Sequence, residues 1–375
     1  YKVIKDTKFT ATGGITGNLD VNVDIKGKKA TLDGKFSSDN ITISNYNFQN
    51  VKTAMKIADN KVTLDNTTFV FNEEISGFRI NQDVKVGKFV YDLKNKNGSG
   101  NYVLKNLGSD FNIKTFTGNA KISSKNVITG TLNSRLLNAR YTVNPKKQTV
   151  VINARSKGYI KVNYGGNSYV VSPDIENLVV KFNETNVLRS GRLRLKLKDL
   201  SVPFIKTIRT NIKIHNGNYK IIGTAGTKGG TIVNIAGTTT SDMKHSYTLS
   251  IPKTVDIAQE LRANGYNFKG LNKAKLPATV TARISGKGSH FSGAYELFSP
   301  YGEYIAEYEK LRVNGKINDL KNLDMTINTN MDELWFGYQR LKNVKGNLNI
   351  KDNVVNISKI QNENLTASGK FDIKT

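Results

Sequence analysis

Several residue types are scarce or missing in this chain, and each absence excludes a class of structure or chemistry. There is no cysteine, and there are only six prolines and one tryptophan among 375 residues. Without cysteine the chain forms no disulfide, holds no thiolate-bound metal and carries no cysteine nucleophile. No run approaches the about 20 apolar residues of a membrane-spanning helix, and no basic-then-apolar leader opens the chain.

The scarcity of proline and the lack of a Ser/Pro-rich or Gly/Ser-rich tract leave no stretch with the composition of a linker. We therefore expect residues 1–375 to form a single continuous β-groove segment. Because the chain begins at Tyr1 rather than at methionine and ends abruptly, we also expect it to be a fragment of a longer protein.

Acidic residues are few relative to basic ones: 30 Asp and Glu stand against 56 Lys and Arg, a net charge of +26. Such a surface favours acidic partners such as lipid headgroups or nucleic acid, although abundant Lys, Asn and Ile are also typical of AT-rich coding. The basic cluster at 189–198 has few interleaved aromatic residues and no nucleic-acid-binding module around it. We predict no nucleic-acid partner, and interpret the cluster as a solvated strand face or a rim for anionic headgroups.

Period-two alternation of apolar and polar residues recurs almost from end to end. In the run 192–198, Leu193, Leu195 and Leu197 alternate with four cations. Successive side chains of a strand point to opposite faces, so the alternation predicts a sheet that is buried on one face only. At about 10 residues per strand and turn, the chain would hold on the order of 30 strands.

Residues that tolerate positive φ separate these runs. Asp59-Asn60, Asn216-Gly217 and Asn314-Gly315 are expected to close tight hairpins. Only the stretch 254–263, which ends before Asn264-Gly265, has the apolar spacing and the stop signal of a helix.

A meander of this length makes a sheet on the order of 140 Å long at about 4.8 Å per strand. It must close into a barrel, stack on a second sheet, or curl along its length. The number of strands is too large for a small barrel filled by its own side chains. The apolar content of only 38% leaves no surplus of apolar residues, which favours the curled sheet. We predict an all-β fold: a long, curled, mainly antiparallel meandering sheet that forms an open, taco-like hydrophobic groove. The alternative is that the apolar side chains pack against one another in a closed core.

A degenerate repeat carries a family resemblance. Residues 341–373 read Leu-x-x-Val-x-Gly-x-Leu-x-Ile, then Asp-Asn-Val-Val-x-Ile, then Leu-x-Ala-x-Gly-x-Phe-x-Ile, and a related hairpin occupies 48–64. These strings resemble the repeats of the TamB/AsmA-like bacterial envelope proteins. The resemblance extends weakly over most of the chain and is most specific in its C-terminal part.

The resemblance implies a periplasmic protein of a Gram-negative-type envelope, with a parent anchored in the inner membrane. It implies that the groove carries phospholipid acyl chains between inner and outer membranes. It also implies a BamA-type outer-membrane barrel as partner in a translocation and assembly module. The sequence lacks both the N-terminal membrane helix and the Tyr-Gly-Gln/Gly-Pro-rich signature near the TamB carboxyl end, which fits an internal fragment.

Under this interpretation the apolar positions of the alternating runs line the groove. They are Ile41, Ile43, Met55, Ile57, Val62, Leu64, Leu193, Leu195, Leu197, Ile212, Ile214, Leu249, Ile251, Met325, Ile327, Leu348 and Ile350.

Catalytic and cofactor signatures are missing. His215, His245 and His290 are too widely spaced for a recognisable metal motif, and no Gly-x-Ser-x-Gly elbow occurs. The glycine-rich stretches precede strand-like runs rather than a helix, which disfavours a phosphate loop. We predict no enzymatic activity, no cofactor and no metal. Trp335 is interpreted as packing in the core or groove rather than as a membrane-interface anchor.

The leading functional prediction is therefore a non-enzymatic segment that provides a hydrophobic groove for phospholipid transport. One alternative is a scaffold whose strand edges pair with client β-strands during outer-membrane protein or autotransporter assembly. A further alternative is a surface-exposed β-rich adhesin.

Overall fold

The structure is a computed structural model of the whole chain. It describes residues 11–12, 14–24, 29–43, 46–75, 78–106, 110–164, 167–181, 187–198, 204–267, 270–288, 290–304, 306–319, 324–352 and 354–372.

The all-β prediction is confirmed. Strands make up 77% of the structure, pairing is antiparallel, and the sheet is open. Twenty-six strands and one short helix lie within the described ranges. The described part of the chain holds no helix long and apolar enough to cross a membrane.

The chain divides into two compact units, Tyr1–Leu193 and Arg194–Thr375, called here the N-terminal unit and the C-terminal unit. The single continuous segment over 1–375 stays a prediction. Strands of the N-terminal unit are β1 (Ala11–Thr12), β2 (Thr16–Asp24), β3 (Lys29–Ile43), β4 (Tyr46–Ala58), β5 (Lys61–Ile75), β6 (Phe78–Asp92), β7 (Asn97–Lys105), β8 (Thr115–Ile122), β9 (Ile128–Asn133), β10 (Leu137–Asn144), β11 (Thr149–Ser156), β12 (Ile160–Tyr164), β13 (Asn167–Lys181) and β14 (Val187–Lys198), which contains the boundary.

Strand pairing in the N-terminal unit follows chain order with few exceptions. From β2 to β11 each strand pairs with the next one along the chain. Strand β1 pairs with β3, and β13 pairs with both β11 and β12. This meander is the local topology that short hairpin turns produce.

The C-terminal unit repeats this organisation. Its elements are β15 (Ile205–His215), β16 (Asn218–Thr227), β17 (Ile232–Thr239), β18 (Lys244–Ser250), β19 (Val255–Asp256), α1 (Ile257–Ala263), β20 (Pro277–Lys287), β21 (His290–Glu303), β22 (Glu307–Asp319), β23 (Asp324–Phe336), β24 (Gln339–Lys351), β25 (Val354–Gln361) and β26 (Thr366–Asp372). Pairing is sequential except that β20 pairs with both β18 and β19.

The helix is shorter than predicted: it begins at Ile257, not at residue 254. Val255 pairs with Ala278 in β20 and is therefore part of a strand. Asp256 is the N-cap residue, because its side chain accepts a hydrogen bond from the Ala258 N–H at 3.0 Å, which satisfies a donor that the first helical turn leaves free. The predicted end at residue 263 is confirmed.

A half-buried carboxylate, that of Glu260, ties α1 to the β16–β17 turn. The Glu260 carboxylate accepts hydrogen bonds from both threonine hydroxyls, Thr227 and Thr231, and from the backbone N–H groups of Thr231 and Gly229 at 3.1 and 3.2 Å. Burial opposes the ionisation of Glu260, but these hydrogen bonds outweigh it and hold the pKa of the carboxyl below its usual range.

Among the described residues, each unit contains one small cluster of buried hydrophobic side chains. In the N-terminal unit Ile113, Phe116 and Ile160 are buried together, because the segment 110–114 crosses to β12 through a bridge between Phe111 and Val162. In the C-terminal unit Ala258, Leu271 and Ala274 form the corresponding cluster around α1. Both clusters are built by inserted segments rather than by a second sheet.

Candidate functional site

In the N-terminal unit, one face of the sheet carries two adjacent rows of residues, and none of these residues is charged. Cα partners on neighbouring antiparallel strands share a face, so the register traces each row across ten strands. The first row is Leu32, Ile57, Val62, Tyr91, Gly98, Ile122, Ile128, Val143, Val150 and Val180; the second is Gly34, Met55, Leu64, Phe89, Gly100, Ala120, Gly130, Tyr141, Ile152 and Leu178. We call this side the apolar face.

In the C-terminal unit, the sheet has an apolar face of the same kind. Its first row is Ile212, Ile221, Gly237, Tyr247, Ile284, Gly293, Ile317, Met325, Ile350 and Val355. Its second row is Gly223, Ile235, Leu249, Ala282, Tyr295, Gly315, Ile327, Leu348, Ile357 and Gly369. Nine strand spacings of about 4.8 Å make each row roughly 43 Å long.

These rows are only partly covered. Most of their side chains are half-buried, and few hydrophobic residues are fully buried among the described ones. Because most side chains of the rows are half-buried rather than buried, the apolar face is not sealed in the way that a closed core would be.

The predicted lining residues lie on strands where they alternate with polar neighbours, as the sequence indicates. Fourteen of them are half-buried in or beside strands, Ile214 is buried with 3% exposure, and Ile251 is half-buried just after β18. The side chain of Ile43 lies outside the described residues. In β14, half-buried Leu193, Leu195 and Leu197 alternate with exposed cations.

The register brings several predicted residues into direct cross-strand pairs. Met55 lies opposite Leu64, and Ile57 lies opposite Val62. In the C-terminal unit, Met325 lies opposite Ile350 and Ile327 opposite Leu348. Others meet residues that the sequence analysis did not select, such as Leu249 opposite Ile235 and Ala282.

Residues with positive φ, in the left-handed backbone conformation, keep the apolar side chains on one face along the longer strands. In β5, Leu64 and Thr67 lie on the same face although they are three residues apart. The reason is that Asn66, at φ 48°, inserts one extra residue into the alternation of faces. In β24 Asn343, at φ 54°, does the same between Leu341 and Val344. Asparagine tolerates this conformation, and such an extra residue bends the strand.

Aromatic side chains lying across glycines are a part of the apolar face that the sequence analysis missed. In eight pairs an aromatic residue stands directly opposite a glycine on which a Cβ would come within 3.0 Å of the aromatic side chain. The pairs are Phe36–Gly17, Tyr91–Gly98, Phe89–Gly100, Tyr102–Gly118, Tyr141–Gly130, Tyr247–Gly237, Tyr295–Gly315 and Tyr308–Gly302.

This pairing corrects the prediction of a turn at Asn314-Gly315, which instead lies in the middle of β22. The turn at Asn216-Gly217 is confirmed, as is the one at Asp59-Asn60. Gly315 is in the strand because it lies opposite Tyr295, whose ring needs the space that a side chain would fill. The missed signal was an aromatic residue and a glycine at matching distances from one hairpin turn.

Two tyrosine hydroxyls on this face, those of Tyr102 and Tyr295, are already bonded within the sheet. The Tyr102 hydroxyl donates to the Thr131 carbonyl at 2.9 Å, and the Tyr295 hydroxyl donates to the Thr326 carbonyl at 3.2 Å. Burial raises the pKa of Tyr295 to about 12 and moves the pKa of Tyr102 well above its usual range. Both phenols therefore stay neutral and bonded, and add no charge to the apolar face.

Replacing Gly315 with alanine should destabilise the C-terminal unit by about 1–3 kcal/mol, because the added methyl group overpacks the strand. A Cβ there would lie 1.9 Å from the Thr326 carbonyl oxygen and 2.7 Å from the Tyr295 hydroxyl. The measurement is urea unfolding followed by Trp335 fluorescence. Gly369→Ala is the control, since nothing lies within 4 Å of that position; equal stability of the two variants would contradict the packing role.

No group of three His, Asp or Glu side chains is placed to hold a metal ion anywhere in the described ranges. His245 bonds to the Thr239 hydroxyl at 3.0 Å and to the Gly288 carbonyl oxygen at 3.1 Å. It also stacks on Phe291 with 5.1 Å between ring centroids. These contacts give His245 a packing role.

No protein-family model, curated protein or solved structure matches this chain. The TamB/AsmA-like resemblance stays a prediction from the sequence. The apolar face itself is therefore the basis for assigning a function.

Proposed function

We propose that the apolar face binds the acyl chains of phospholipids and that the chain is a periplasmic, TamB/AsmA-like segment for phospholipid transport between the inner and outer membranes. The observation that carries the proposal is the pair of uncharged, half-exposed rows in each unit, every one of them ten strands long.

The chemistry of these rows favours an acyl chain over a polar ligand. Removing a methylene group from water contributes about 0.8 kcal/mol and needs no particular orientation. An acyl chain spans roughly half of the about 30 Å hydrocarbon core of a bilayer, so each row of roughly 43 Å is long enough for more than one chain end to end. A non-directional surface of this kind lets a lipid slide without a stereospecific site.

The same face offers little to a peptide. Strands in the interior of each sheet pair on both sides, so their backbone groups are already hydrogen-bonded, and the tyrosine hydroxyls described above donate to carbonyl groups of the sheet. An extended peptide lying on the face would leave its own backbone groups without partners, at a cost in free energy. The rows therefore favour lipid over a client polypeptide.

The test is mass spectrometry of lipids extracted from the purified full chain, together with titration by a phospholipid carrying a fluorescent acyl chain. We expect phospholipid to co-purify and the titration to saturate. Extraction of no lipid, combined with a titration that gives no signal, would contradict acyl-chain binding.

A second candidate function is strand pairing with a client during outer-membrane protein assembly, with a BamA-type barrel as partner. It is favoured by β26, which among the described strands pairs only with β25 and is exposed from Thr366 to Lys370. An unpaired edge is a template for an added strand. This function predicts that charges placed on the apolar face leave client binding intact.

A further inference from the structure

One end of the C-terminal sheet carries exposed aromatic side chains. Strands β21 and β22 meet there through Glu303 opposite Glu307, and β23 and β24 through Phe336 opposite Gln339. Glu307 also lies opposite Trp335, so the two hairpin ends are adjacent. We call this end, with Tyr301, Trp335, Phe336 and Tyr338, the aromatic rim.

The aromatic residues of the rim are held outward by the hairpin. Tyr301 is 56% exposed, Phe336 is 58% exposed, and Tyr338 at the turn is fully exposed. Gly337, at φ 61°, closes the turn between the last two. Trp335 is half-buried beneath the Arg340 guanidinium, whose Cζ lies 5.6 Å from the ring centroid. The tip therefore presents exposed rings to solvent next to a half-buried tryptophan.

The opposite end of the same sheet differs. Its described turns include Asn216-Gly217, 240–243, Gly288 and Asp352, and the only large exposed hydrophobic residue among them is Met243, at 54%. No exposed aromatic residue lies at that end within the described ranges. Of the two ends of the strands, as far as the structure describes them, only one thus carries exposed aromatic rings.

The rim connects to the apolar face. Phe336 and Leu334 are two residues apart on β23 and share a face, and Leu334 lies opposite Leu341. The apolar column of β23 therefore runs from Met325 and Ile327 to an exposed phenylalanine at the tip.

Charges near the rim balance locally despite the net charge of +26. Arg340 pairs with Glu333, and both Lys310 and Arg312 pair with Asp332, at 3.2 and 3.3 Å. These carboxylates offset the neighbouring cations, so the described residues of the rim form no dense positive patch for anionic headgroups. Rings that combine an apolar body with a polar edge, as in Trp and Tyr, are enriched where a membrane meets water.

We propose that the aromatic rim docks on a phospholipid bilayer of zwitterionic headgroups, with Phe336 and Tyr338 entering the interface. The β23–β24 hairpin is the anchoring element, and partitioning of the rings rather than charge supplies the attraction. This replaces the interpretation of Trp335 as purely a packing residue: it supports the tip and lies next to the membrane. The proposal does not depend on acyl chains binding to the apolar face.

The experiment uses the full chain and phosphatidylcholine vesicles, with Trp335, the only tryptophan, as an intrinsic probe. We expect the chain to co-sediment with vesicles, and Trp335 emission to shift to the blue and to be quenched by brominated acyl chains. Phe336→Ser combined with Tyr338→Ser should lower the partition coefficient roughly tenfold or more, because two rings are lost from the interface.

The control is Ile222→Ser combined with Met243→Ser, which removes two side chains of comparable exposure, 52% and 54%, away from the rim. This pair should leave binding unchanged. Four results would overturn the proposal: no binding to phosphatidylcholine, an equal loss in the control, binding that requires anionic lipid and disappears at high salt, or no response of Trp335 in the bound chain. A dimer that the Phe336/Tyr338 variant abolishes would assign the rim to contact between copies instead.

Lipid extraction from the same variants separates this proposal from the proposed function. The rim variants are expected to retain co-purified lipid, because the rows of the apolar face are unchanged. Loss of vesicle binding with lipid retained supports the rim as a separate docking surface.

Discussion

Replacing both Leu249 and Ile327 with aspartate is expected to remove about half of the phospholipid that each chain holds. The reason is that desolvating an unpaired carboxylate on an apolar surface costs several kcal/mol. Both residues lie in the second row of the C-terminal apolar face, opposite Ala282 and Leu348 respectively. The N-terminal unit keeps its own rows, so the loss should be partial. Lipid per chain is measured by extraction and mass spectrometry.

Matched controls exist one residue away. Thr248→Asp with Asn328→Asp adds the same two charges on the same two strands, but on the exposed opposite face, and should leave the lipid content unchanged. Adding Leu64→Asp and Ile128→Asp in the N-terminal unit should remove most of the remaining lipid, with Thr63→Asp and Thr129→Asp as the corresponding control. Equal effects of both sets would show that added charge, not the apolar face, determines retention.

Replacement of Leu271 by alanine is expected to destabilise the C-terminal unit by about 2–5 kcal/mol, through lost burial and the cavity left behind. Leu271 is 2% exposed and packs with Ala258 and Ala274 around α1. This cluster is one of the few places in the described structure where a large side chain is fully enclosed. A cavity there is therefore expected to cost more than one under the half-exposed rows.

Urea unfolding followed by Trp335 fluorescence measures this effect, because Trp335 reports on the C-terminal unit. Leu365→Ala is the matched control: Leu365 is 48% exposed, and its truncation should change the free energy of unfolding by less than about 0.5 kcal/mol. If both substitutions lower the free energy of unfolding equally, the buried cluster around α1 is not a principal source of stability for the unit.

Residues within one strand were predicted well from the sequence. The run 192–198 forms part of β14 and alternates as expected, and Asn216-Gly217 closes the β15–β16 hairpin. The failures occurred where a distant strand decides the outcome. Asn314-Gly315 has the composition of a turn, yet it lies inside β22 because Tyr295 occupies the space above Gly315.

The candidate site shows the same division. The sequence identified Ile327 and Leu348 separately, and only the register of β23 and β24 places them opposite each other. The sequence analysis did not single out Asn66, whose positive φ keeps Leu64 and Thr67 on one face. Trp335 could not be assigned to the rim from sequence, because the neighbouring hairpin end at Glu303 and Glu307 completes that surface.

The sequence by itself determined that this protein is built of strands with one apolar side, because the period of a strand is a local property of the backbone. The tertiary structure decided which apolar residues form continuous rows, which aromatic rings lie over glycines, and which end of a sheet carries exposed rings. Those features depend on pairing between strands, and pairing is set by turn lengths and extra residues acting over many strands.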